Sequence, residues 1–79
     1  VSNVFVIINE WTSIDRSSGA EIVDSKFFDS EESAWRALRD IAHSREDDLD
    51  YDSTSLVYEN ASPSIEFEEF YIQELTHGS

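Results

Sequence analysis

The chain has 79 residues, with eighteen Asp and Glu against five Lys and Arg, a formal net charge of −13 and no cysteine. That length suits one domain with one small core, and the missing thiols exclude disulfides and thiolate metal sites. The acid excess excludes the basic surface by which proteins usually hold nucleic acid or anionic membranes, while five Phe, three Tyr and two Trp provide the apolar surface that a packed fold needs.

Residues 3–12 are rich in β-branched and aromatic side chains. Val4, Val6 and Ile8 fall on one parity, Phe5, Ile7 and Trp11 on the other. Apolar groups on both faces predict an interior strand. The longest apolar run near the N-terminus, 4–8, has no basic residue before it, so neither a signal peptide nor a membrane span is expected, and a cytoplasmic location is read from this.

Asp15, Ser17, Ser18 and Gly19 turn the chain, and 20–28 is expected to return as a second, antiparallel strand. Asp29 with Glu32 has the spacing of a capping box, and Ser30 is itself a good cap. A helix is predicted from there to about His43, with Ala34, Trp35, Leu38, Ile41 and Ala42 on its inner face. Glu32, Arg36 and Asp40 lie four apart on the outer one.

Five of the seven residues 46–52 are acidic, which predicts a solvated loop over about 46–53. Residues 54–59 read as a third strand, 60–64 as a turn cluster and 65–75 as a fourth strand. In that strand Ile65 and Phe67 share one parity and Phe70 and Ile72 the other. Either both faces are partly covered or a bulge near Glu68 and Glu69 re-aims it. A frayed tail is expected over 76–79. The sum is a single α+β domain over 1–79, of β-β-α-β-β order. It has three to four strands in an antiparallel or mixed sheet and one helix on one face.

No constellation for catalysis is present. Carboxylates abound, yet none is singled out by an apolar setting that would raise its pKa. His43 and His77 without cysteine make neither a zinc site nor a triad, and Gly19 and Gly78 are too few for a phosphate-cradling loop. No enzymatic activity and no cofactor are expected. Asp48, Asp50, Asp52 and Glu59 match the oxygen spacing of an EF-hand calcium loop. The sixth position, however, is Ser53 where the sharp turn needs Gly, and Pro63 interrupts the exiting helix, which leaves them weak metal candidates.

The distribution of charge carries the functional expectation. All five cations, Arg16, Lys26, Arg36, Arg39 and Arg45, precede residue 46, and the remainder has ten acids and no Lys or Arg. Glu46, Asp47, Asp48, Asp50 and Asp52, together with Glu59, Glu66, Glu68 and Glu69, are the predicted partner-binding residues. Their natural complement is a basic protein surface, such as that of a nucleic-acid-binding protein. Eighteen carboxylates also match the roughly 18 charges that duplex DNA presents over about 30 Å, so nucleic-acid mimicry is one form this docking takes. The competing expectation is an assembly domain that self-associates through a strand edge or an aromatic patch. Trp11, Tyr58 and Tyr71 would then be anchors and the charge would serve solubility.

The opening Val4-Phe5-Val6-Ile7-Ile8-Asn9-Glu10-Trp11, the junction Phe27-Phe28-Asp29-Ser30-Glu31-Glu32-Ser33-Ala34 and the closing Phe70-Tyr71-Ile72-Gln73-Glu74-Leu75 resemble a group of short uncharacterised bacterial and phage β-β-α-β proteins. Members of that group end in a Tyr-x-Ile-x-Glu type strand and have no known activity. A phage-type inhibitor is what the uneven charge suggests; the resemblance itself implies a sheet-plus-helix fold and a phage or mobile-element origin, with the cytoplasm of a bacterial host as the compartment, and no activity. It transfers no site residue, and the acidic run 46–52 lies outside the shared pattern.

Overall fold

A computed structural model describes residues 2–77. Its strands are β1 (Ser2–Ser13), β2 (Ser18–Ile22), β3 (Ser55–Ser62) and β4 (Ile65–His77), with one helix, α1 (Glu31–Ser44), and a 3-10 turn at Val23–Ser25. All pairings are antiparallel and the spatial order is β2-β1-β4-β3. Thus β1, apolar on both parities, is interior. Thr76 and His77 extend β4, while Gly78 and Ser79 lie outside the described residues.

The first hairpin closes where Asp15 and Ser17 predict a turn. Ser13 N–H donates to Ser17 O at 2.7 Å, and the Asp15 carboxylate accepts from both the backbone N–H and the hydroxyl of Ser17. Those hydrogen bonds hold the Asp15 carboxyl below its ordinary range. Gly19 faces Trp11 across the pair, where a Cβ would lie 2.4 Å from the indole Cζ2. Close approach, and not a left-handed backbone, is what demands glycine there.

The second strand is shorter than 20–28. Asp24 and Ser25 take positive φ of 56° and 51°, which ends the ladder and folds the chain into the 3-10 turn. The segment leading to α1 then bonds to β1 once more, through paired Phe5–Phe28 backbone hydrogen bonds of 2.8 Å. Helix α1 is capped by Ser30, whose hydroxyl accepts from Ser33 N–H at 3.2 Å. The Asp29–Glu32 box gives way to this arrangement. Glu31 and Glu32 occupy the first turn, where acids suit the helix dipole.

Alternation fixes the two faces of the sheet. Ile7, Leu56 and Phe70 point to α1 and form the core with Leu38 and Ala42, with Phe28, Ile41, Leu49, Tyr58 and Ile72 packed around it. β4 runs in unbroken register from Phe67 onward, and its irregularity lies where Ser13 pairs with Ile65, leaving Glu66 unpaired. No bulge falls at Glu68 and Glu69, which are in regular register. The turn cluster also tightens, because β3 continues to Ser62 through an irregularity at Asn60 (φ 53°), leaving Pro63 and Ser64 as the turn.

Candidate functional site

The acidic loop begins at the end of α1. Ala42 O accepts from Asp47 N–H at 2.9 Å and His43 O accepts from Glu46 N–H at 3.1 Å, which is the paired closure of a Schellman motif. The left-handed residue that motif requires is Glu46, with φ 57°, in a place where glycine is the ordinary choice. Helix termination here is therefore a backbone device, and not only a result of charge.

Beyond Asp47 the loop has a built alternation. Leu49 packs against the core, and the Tyr51 ring lies 5.2 Å from that of Trp35. Trp35 Nε1–H donates to Asp50 O at 3.3 Å, and Ser53 N–H donates to Asp50 O at 3.0 Å. With Leu49 turned inward and Tyr51 held on Trp35, the intervening Asp48, Asp50 and Asp52 are left exposed, as are Glu46 and Asp47. Among the described residues none of these five carboxylates is paired with Lys or Arg. The His43 imidazole lies 4.0 Å from Asp48. Glu31, Glu32 and Asp52 line the same open cleft as Trp35 and Tyr51, together with Arg36 and Arg39, so the acids at the start of α1 are interspersed with two guanidinium groups.

The remaining predicted residues do not join this loop on one face. Glu68 points toward the helix side, 86% of its side chain is out of solvent, and it pairs with Arg45 at 2.6 Å. Asn9 Nδ2–H₂ donates both to Glu68 and to the Glu69 carbonyl. The Arg45 guanidinium lies over the rings of Tyr58 and Phe70 at 4.8 and 5.0 Å. Glu68 is thus an internal ion-pair partner, as partly buried carboxylates generally must be. Glu59 and Glu69 belong by register to the opposite face of the sheet, and Glu66 sits in the β4 irregularity. Nine residues that read as one acidic half are divided by the sheet into two surfaces and one internal pair.

That opposite face carries an acid which lies outside the acidic half. Glu10 of β1 stands directly across from Glu69, and Tyr71 O–H donates to Glu10 Oε1 at 2.9 Å. The signal was present as a polar residue in an apolar strand, but its pairing depends on the β1–β4 register. The anchors named for self-association also separate. Tyr58 belongs to the helix-side core, with its hydroxyl buried and unpartnered, and Trp11 is half-buried against Gly19. Tyr71 alone lies on the uncovered face. Burial first, then the nearby Asp47 carboxylate, raises the Tyr58 pKa, and the hydrogen bond to Glu10 raises that of Tyr71.

The four weak metal candidates are not assembled. Glu59 lies within β3, away from the loop, and no group of three or more His, Asp or Glu side chains is placed to hold a metal among the described residues. Among those residues, too, no helix is long and apolar enough to cross a membrane. Comparison with models of known protein families, with curated proteins and with solved structures gave no match.

Proposed function

We propose that this chain is a non-enzymatic, acidic protein-binding domain that docks on the basic, nucleic-acid-binding surface of a partner and blocks nucleic-acid access there. A phage-type inhibitor acting in the cytoplasm of a bacterial host would have this character. One observation carries the reading: Leu49 packs on the core and Trp35 donates to the Asp50 carbonyl, while the five carboxylates of 46–52, none of them paired with Lys or Arg among the described residues, stay in solvent. They follow the C-terminus of α1, where the helix dipole disfavours negative charge. An ordered display of like charges, placed where it lowers the stability of the free fold, is offset when a basic surface covers it.

The test is competition. A bacterial nucleic-acid-binding protein captured by the domain at low salt should lose its duplex DNA as the domain is added. A variant carrying Asp48→Lys, Asp50→Lys and Asp52→Lys should displace at least about tenfold less, since close charge pairs across interfaces couple by 1.5–7 kcal/mol. Equal displacement by that variant rejects the reading.

A further inference from the structure

Helix α1 covers one face of the sheet and leaves the other without a layer. By strand register the other face carries Ile8 and Tyr71, both partly buried, at its centre and Val57, Phe67 and Leu75 further out, while Val6 on the same face is already fully buried. Val57 is 51% exposed and Phe67 and Leu75 are each 38% exposed. Phe27, next to the isolated Phe5–Phe28 bridge, is 58% exposed.

Among the described residues, the same face carries carboxylates and no Lys or Arg. Glu10 and Glu69 oppose each other across the central strand pair, and Glu59 lies across from Phe67. The cations lie elsewhere: Lys26 over the helix-side ring of Phe28, Arg39 over Trp35, Arg36 paired with Glu32, Arg45 with Glu68, and Arg16 in the first hairpin loop. Like charges directly opposite on a sheet are unfavourable, and an apolar face normally finds a second layer.

We propose that this face is a docking surface for a cationic amphipathic helix of a partner protein, whose apolar stripe covers Ile8, Val57, Phe67 and Leu75 while its Lys or Arg side chains meet Glu10, Glu69 and Glu59. The proposal rests on the acidic-docking reading and extends it to a second surface. Dimensions favour one helix, since four strands at about 4.8 Å spacing span roughly 14 Å, and a helix is about 10–12 Å wide with its side chains. From Phe67 to Leu75 β4 covers about 27 Å, the length of a helix of about 18 residues. A second copy of this chain is the wrong occupant, because face-to-face pairing would set three carboxylates against three more.

The probe is a synthetic Leu/Lys amphipathic peptide of about 18 residues, titrated against the isotope-labelled domain and followed by amide chemical shifts. Oligolysine of equal charge and a scrambled peptide serve as controls. The proposal requires shifts centred on Ile8, Val57, Phe67, Tyr71 and Leu75, affinity at least about tenfold above oligolysine, and a loss of about fivefold or more in Glu10→Gln/Glu69→Gln. Val57→Ser, at an exposed site that leaves the fold intact, should also weaken binding. Shifts centred on 46–52, or equal affinity for oligolysine, overturn the sheet-face site and leave acidic docking standing. No salt-dependent binding of either cationic probe overturns both, and concentration-dependent dimerisation through this face overturns the choice of occupant.

Discussion

At Gly19 a single hydrogen decides the local packing. A methyl group there would meet the indole of Trp11 at 2.4 Å, and because that ring is half-buried across a strand pair its escape is limited. Gly19→Ala is expected to destabilise the fold by about 1–3 kcal/mol, measured by urea unfolding, and an unchanged midpoint would show that the indole swings free. Tyr58 makes the opposite case. Its hydroxyl is buried without a partner, so Tyr58→Phe should be neutral or stabilising by up to about 1 kcal/mol, while the ring keeps its place under Arg45. The pH dependence has a definite sign. A tyrosine pKa raised above 10.0 in the fold means the folded state keeps a proton that the unfolded chain gives up. The stabilisation is therefore full below pH 10 and is lost as pH rises through the folded value. Alkaline unfolding should begin above that point and move upward in Tyr58→Phe; an unchanged onset would contradict burial of the hydroxyl.

Among the elements, α1 shows what periodicity reveals and what it hides. Its inner stripe of Ala34, Leu38 and Ala42 and its start beside Ser30 are visible as spacing and cap chemistry. Its stop is not, because Glu46 in the left-handed region has none of the glycine signature of a Schellman closure. Glu46→Gly should raise stability by about 0.5–1 kcal/mol, read from thermal unfolding, and a loss would mean that the side chain makes a compensating contact. The early end of β2 was hidden in the same way, since Asp24 and Ser25 read as tolerable strand residues until their positive φ breaks the ladder. The interior position of β1 was legible from its two apolar parities. The order β2-β1-β4-β3 was not, because it depends on pairings between residues about seventy positions apart, such as Asn3 with Thr76.

For the molecule as a whole, the charge count was plain in the sequence but its division was not. Alternation along β3 and β4 sends Glu68 inward to Arg45 and Glu69 outward to Glu10, and only the register tells these neighbours apart. With a net charge of −13 and Arg36 and Arg45 already engaged by Glu32 and Glu68, self-repulsion should weaken the free fold. Added salt between about 20 and 500 mM should therefore raise its unfolding temperature by screening, whereas a fold whose acids are already compensated would not respond. The same screening acts with the opposite sign on docking. The most direct measurement of acidic docking is calorimetric titration of the basic partner at salt concentrations from about 50 to 500 mM. Affinity is predicted to fall steadily, by at least about tenfold over that range; an affinity that does not change with salt would contradict it.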